Sequence, residues 1–386
     1  TPSFSRSSLG GGGGGGGGGG IMWSTPFVLT FSLLLSLPVL LLVAPHIFPS
    51  PIPTVSPSDD LDDLALFGRA AATVSARTLP SAHSHLANSP RNRRKIAFLF
   101  LTNTDLYFSP LWEKFFSTAP ADDWYTVYVH ADPTANVTRP RVGVFKDRFI
   151  KSAKRTARAS PTLIAATRRL LAEAILDDPS NAFFAVLSQY CIPLRPFPYV
   201  YRALVESTTF DHRADPKTAV HGVRVKEYRS FIEVISREPR LWKRYVARGR
   251  YAMLPEVPFD RFRVGSQFFV LTRPHALKVV GDRVLWSKFR LPCYRADECY
   301  PEEHYFPTLL SMVDPGGCTR YTLTHVNWTG TVNGHPYTYR PGEISPALIR
   351  NLRISNYSDS YLFARKFSPD CLKPLMKIAD KVIFRD

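Results

Sequence analysis

Residues 96–102, Ile-Ala-Phe-Leu-Phe-Leu-Thr, form an unbroken apolar run of strand length directly after the basic Arg93-Arg94-Lys95. A strand that is continuously apolar, with no polar alternation, is buried on both faces, as in a parallel sheet covered by helices. The run predicts the first buried strand of such a sheet, and the chain after it keeps the pattern. Residues 108–116 read as a short helix, and Tyr125-Thr-Val-Tyr-Val-His-Ala-Asp132 as a second strand. Ser160-Pro161 offers a cap and a first residue to a helix with apolar positions at 163, 164, 170, 171, 174 and 175. Ala182-Phe-Phe-Ala-Val-Leu-Ser188 is a third strand. Strands alternating with helices argue an α/β fold with a doubly wound, Rossmann-type sheet. Strands over 263–272 and 321–329 and helices over 345–353 and 369–382 follow.

In open α/β sheets ligands gather at the carboxyl ends of strands, so Val129, His130 and Asp132 are candidates for a nucleotide pocket. A polar turn closing the strand explains the same residues. Gly265-Ser266, at the entry to the strand over 263–272, is where a missing side chain would let substrate approach the backbone. The densest chemistry lies at 293–310, which holds two cysteines, four carboxylates and a histidine. Pro301 suits a first helical position, and Glu302 and Glu303 fall where a helix dipole favours negative charge. Tyr305, Phe306, Leu309 and Leu310 then bury one face of that helix. A carboxylate at the mouth of a buried helix can be held rigidly, as a general base requires. Acidic first-turn residues are also ordinary helix-start chemistry.

The formal net charge of +17 raises nucleic acid, an anionic membrane surface or an anionic small substrate as partners. No nucleic-acid-binding motif accompanies it, and the basic pairs Arg93-Arg94, Lys154-Arg155, Arg168-Arg169 and Lys243-Arg244 are scattered, so they read as a solvated basic surface and not as a nucleic-acid site. The chain opens on Thr1 and runs into the glycine tract 10–20, which cannot fold for entropic reasons. Met22 follows at once, and translation is expected to begin there, which leaves 1–21 as an untranslated low-complexity leader. Residues 22–45 include an uncharged apolar stretch, Pro26 to Ala44, of about the ~20 residues a membrane helix needs. It exceeds a signal-peptide core and reads as an uncleaved anchor. Residues 46–93, rich in Pro, Ser, Ala, Thr and acid, read as a flexible stem with little fixed structure. Three glycosylation sequons, at Asn136, Asn327 and Asn356, fit a luminal domain beyond the stem. So do the five cysteines, of which Cys293 and Cys299 are a plausible short disulfide.

Pro301-Glu-Glu-His304, preceded by Gly265-Ser-Gln-Phe-Phe-Val-Leu-Thr-Arg273 and followed by Leu362-Phe-Ala-Arg-Lys-Phe367, resembles the core-2/I-branching β-1,6-N-acetylglucosaminyltransferase family, most of all its plant members. The resemblance runs over roughly residues 94–386 and takes in Ser188-Gln-Tyr-Cys-Ile-Pro-Leu194. It implies a GT-A-like catalytic domain over 94–386 in a type II Golgi membrane protein. Glu303 would be the base, Lys366 a ligand of the donor's diphosphate and Trp328 a platform for the acceptor sugar. A second, arginine ligand of the diphosphate falls near His335 by spacing, with Arg340 the nearest arginine. Family members often carry Trp-Gly where this chain has Arg158-Ala159. The implied reaction is metal-independent inverting transfer from a UDP-sugar to a glycan or glycoprotein acceptor, with no cofactor. The one Asp-x-Asp sequence, Asp60-Leu-Asp62, falls in the expected stem. UDP-N-acetylglucosamine is the first donor in view; UDP-glucuronate and UDP-xylose stay open, as does a membrane-tethered glycan-binding relative without turnover.

Overall fold

The computed structural model describes residues 30, 32–39, 54–73, 93–206, 228–331 and 334–385. The chain divides into two units, Thr1–Pro51 and Ile52–Asp386. In the first unit residues 32–39 are helical. Among the described residues no helix is long and apolar enough to cross a membrane. The leader at 1–21 and most of the apolar stretch at 22–45 lie outside the described residues.

The second unit is built on β1 (Lys95–Thr102), β2 (Tyr125–Ala131), β3 (Asn181–Ser188), β4 (Ile192–Pro193), β5 (Ser230–Glu233), β6 (Val270–Thr272), β7 (Cys318–Arg320), β8 (Thr324–Val326) and β9 (Phe363–Arg365). Six of them form one sheet in the order β2-β1-β3-β6-β5-β7, and β4-β9-β8 form a second. β1 runs parallel to β2 and β3, while β6 is antiparallel to β3 and β5, so the large sheet is mixed, which fits a GT-A-like fold. The helices that bear on the site are α1 (Pro57–Ala72), α2 (Ser109–Phe116), α3 (Pro161–Asp177), α4 (Leu241–Tyr245), α5 (Arg273–Gly281), α6 (Val284–Phe289) and α7 (Tyr305–Val313).

Successive side chains of a strand point to opposite faces, so β1 feeds two cores. Ile96, Phe98 and Phe100 join the aromatic cluster of Trp112, Phe115 and Phe116 on α2. Ala97, Leu99 and Leu101 pack with Ile164, Leu170 and Leu171 of α3. Ser160 caps α3, its hydroxyl accepting the Thr162 N–H at 3.2 Å.

Two expectations are corrected here. Part of the stretch read as a flexible stem is helix α1, capped by Ser56 and packed through Leu66, Phe67 and Ala70. Its acid content looked solvated, but each carboxylate has a basic partner: Asp59 and Asp62 meet Lys154, Asp60 meets Arg290, and Asp63 meets Arg169. Residues 46–53 and 74–92 lie outside the described residues. The second correction concerns Arg168-Arg169, which is buried and not part of a solvated surface. Arg169 Nε and Nη2 donate to the two oxygens of Asp63 at 2.6 and 2.8 Å. Arg168 donates to the carbonyls of Val279, Val280 and Asp282 at the end of α5, where a helix presents unsatisfied acceptors.

The strand expected over 263–272 is shorter, because the backbone before Val270 is spent elsewhere: the Gly265 N–H donates to the Glu303 carbonyl at 2.8 Å. The strand expected over 321–329 contracts to β8 and joins the small sheet, where it pairs with β9.

Candidate active site

The turn that carries Glu303 is locked before its side chains are considered. Cys293 and Cys299 are joined in a disulfide, and Tyr300 turns the chain through a left-handed φ of 37° into a single 3-10 turn, Pro301–Glu303. The α-helix α7 begins only at Tyr305, so the two glutamates precede it and do not fill its first turn. Tyr305, Phe306, Leu309 and Leu310 are buried behind them. The His304 Nδ1–H donates to the Arg263 carbonyl at 2.8 Å, and its ring stacks on Phe262 at 4.5 Å. Burial holds this imidazole neutral, its pKa pushed down to about 3.

The two adjacent acids have different surroundings. Glu302 is 3% exposed, and one carboxyl oxygen accepts the Ala159 N–H at 3.0 Å. Burial pushes its pKa up to about 8. Glu303 is partly exposed and receives Arg244 Nη1, from α4, on Oε2 at 2.8 Å. A carboxylate held through one oxygen keeps the other for a second partner. Glu303 opens onto a cleft of about 230 Å³ that also takes in His130, Arg158, Tyr300, Trp328, His335, Arg365 and Lys366.

The cleft's cations come from two places in the chain. Lys366, just past β9, lies with its ammonium 4.5 Å from the Tyr190 ring, and desolvation, then Arg365 and Arg158, lower its pKa. The Arg365 guanidinium rests on the Phe268 ring at 4.1 Å. Arg158, ahead of α3, donates to His335 Nε2 at 2.7 Å and to the Gly334 carbonyl at 3.0 Å. Among the described residues none of the three has a carboxylate within ion-pair distance. The cleft therefore joins an oriented carboxylate to cations without anionic partners.

The structure brings Glu303, Lys366, His130, His335 and Trp328 together at this cleft. Trp328 stands at its rim, 53% exposed. His130 is buried, with Nε2 accepting the Lys154 N–H at 3.3 Å, and burial lowers its pKa to about 4. The remaining candidates lie elsewhere. Val129 is core, its backbone paired with Arg148 and Ile150. Asp132 spends both oxygens on Thr134 and Thr156, at 2.7 to 2.9 Å, and closes a polar turn. A Cβ on Gly265 would come within 2.0 Å of the Glu233 carbonyl, so that glycine admits a neighbouring strand and not substrate. The Ser266 hydroxyl accepts the Phe268 N–H at 3.1 Å. Arg340 is outside the cleft and opens the short turn Pro341–Glu343, where its N–H is taken by Glu343.

Arg158, Arg365, Tyr300 and Glu302 were not legible as site residues. Arg365 carries a signal, its place beside Lys366; Arg158 carries its position just ahead of the Ser160 cap, where the resemblance sets Trp-Gly against Arg158-Ala159. Away from the cleft, Ser230, His275 and Asp314 form a hydrogen-bonded series, at 2.7 and 3.1 Å. Ser230 is fully buried and also accepts the Thr272 N–H at 2.9 Å, so this series ties α5 to β5 and to the end of α7 and offers no nucleophile.

A sequence model of the core-2/I-branching enzyme matches residues 96–353. The chain is also 28% identical over 329 residues to Glycosyltransferase BC10 of Oryza sativa subsp. japonica, across 72% of this chain and 75% of that protein.

Proposed function

The chain belongs to the core-2/I-branching enzyme family, and from that membership we propose that it is an inverting, metal-independent transferase that moves a sugar from a UDP-sugar to a hydroxyl of a glycan or glycoprotein. The observation that carries this reading is the pairing, in one cleft, of a carboxylate fixed by Arg244 with cations that have no carboxylate partner among the described residues.

Such a transfer needs a base for the acceptor hydroxyl and positive charge for the departing diphosphate. Glu303 suits the first role. Arg244 orients it through Oε2, leaving Oε1 to take the acceptor proton as the hydroxyl oxygen attacks the anomeric carbon. Lys366 suits the second role, since the diphosphate gains charge as the glycosidic bond breaks. Attack from the face opposite UDP converts an α-linked donor to a β-linked product. Trp328 at the rim offers a face for the acceptor sugar. N-acetylglucosamine is the proposed sugar, with glucuronate and xylose as the other donors to be tried.

The apolar stretch at 22–45, the Cys293–Cys299 disulfide and the exposed sequon asparagines Asn136 and Asn356 support a type II Golgi membrane protein with its catalytic domain in the lumen. The test is UDP release by the full chain against a panel of UDP-sugars with and without EDTA. At least one donor should be turned over at a rate EDTA does not change. A rate that vanishes in EDTA and returns with Mn²⁺ would overturn the metal-free mechanism, and no turnover of any donor would overturn transfer.

A further inference from the structure

We infer that Arg158 is the second cation for the donor's diphosphate and acts beside Lys366. This inference deepens the transferase reading and rests on it. Three other basic groups compete for the role. Arg340 is outside the cleft. His335 accepts a hydrogen bond from Arg158 on Nε2, and desolvation with three neighbouring cations lowers its pKa, so it is a neutral acceptor near pH 7. The Arg365 guanidinium lies over the Phe268 ring at 4.1 Å, with a buried Nε that has no hydrogen-bond partner among the described residues to fix its plane.

Arg158 differs in how it is held and in what it has left. Two of its N–H groups are used, one on His335 and one on Gly334, and both contacts fix the plane of the guanidinium. A guanidinium has five such donors in a rigid fork, so three remain for an anion. That fork matches phosphate oxygens in pairs. Glu302 bonds the Ala159 N–H and, among the described residues, makes no ion pair with the guanidinium, which it meets only through space.

The backbone beneath Arg158 is built to aim it. Ala159 has φ +56°, a left-handed conformation uncommon for a residue with a side chain and costly unless its surroundings fix it. Glu302 supplies that constraint from the same 3-10 turn that carries Glu303. The base and this cation are therefore registered to one another through two adjacent glutamates. Lys366 reports the proximity, because Arg158 is among the charges that lower its pKa.

The experiment is calorimetric binding of UDP and of uridine, in buffer containing EDTA, to the wild-type chain and to Arg158→Ala, Arg158→Lys, Lys366→Ala and Arg340→Ala. Losing one charge-assisted contact should weaken UDP roughly tenfold to a hundredfold in Arg158→Ala. Arg158→Lys should recover part of the loss, uridine affinity should not change, and Arg340→Ala should bind as wild type. Unchanged UDP affinity in Arg158→Ala, with a loss in Lys366→Ala, would overturn the inference and leave the transferase reading standing. Equal losses of uridine and UDP would show that Arg158 only shapes the pocket. A wild-type chain that binds no UDP would overturn the reading and the inference together.

Discussion

Arg168 and Arg169 inside α3 and Arg158 just ahead of it are the same side chain put to opposite uses. The first two are 2% and 1% exposed, one bound to three carbonyls and the other bidentate to Asp63. Arg158, Arg365 and Lys366 line a cleft that Glu302 and Glu303 also line, but among the described residues none of the three makes an ion pair with a carboxylate. Neighbouring cations repel, so a cluster without paired carboxylates works against the fold while it favours an anionic ligand. A count of basic residues cannot separate the two sets. What distinguishes them is the partner, which only the fold supplies.

The comparison would break first at its buried end. Arg169→Met leaves the Asp63 carboxylate buried without its partner, and stability measured by urea unfolding should fall by about 3–5 kcal/mol. Turnover per folded molecule should stay as in wild type, and a large fall in turnover at unchanged stability would erase the distinction. At the cleft the pattern should reverse. Lys366→Ala should lower kcat/KM by roughly 10²–10³ without loss of stability, and Lys366→Arg should recover part of it. An Ala variant with wild-type rate and UDP affinity would make Lys366 surface charge.

A smaller effect, in pH, sharpens the contrast between the two adjacent acids. The folded-state pKa of Glu302 is raised to about 8 from an ordinary value of 4.5, so the folded protein holds the extra proton between those values. Its contribution is fully present below pH 4.5 and is lost as pH rises through 8. Glu302→Gln keeps an oxygen for the Ala159 N–H and should flatten the fall in thermal midpoint between about pH 4.5 and 8. Buried His304 and His130 act with the opposite sign: their pKa values fall to about 3 and about 4 from 6.5, so their contribution is present above pH 6.5 and is lost on acidification. A midpoint in the Gln variant that tracks wild type between about pH 4.5 and 8 would mean that Glu302 is not the titrating group.

Much of the fold could be read from residue pattern because β1 and β3 are apolar throughout and α3 announces itself with Ser160-Pro161. Helix α1 could not, since its acids look like solvated stem until Lys154, Arg169 and Arg290 are brought to them from distant parts of the chain. The candidate site was legible where a short motif carries it, at Glu303 and Lys366, which the structure places in one cleft. It was illegible where the role depends on an orientation. Gly265 is small because Glu233 needs the room, Asp132 is polar because two threonines close a turn on it, and Arg158 matters because Glu302 and His335 aim it.

The central claim is that Glu303 removes the acceptor proton, and Glu303→Gln tests it most directly. The amide keeps the shape and an acceptor for Arg244 but cannot take the proton. With any donor the wild-type chain turns over, UDP affinity by calorimetry should stay within a few-fold, while kcat from initial rates of UDP release in the presence of acceptor falls by about 10²–10⁴. A Gln variant that retained roughly a third or more of the wild-type rate would contradict the account, because a base of this kind cannot be removed at so small a cost.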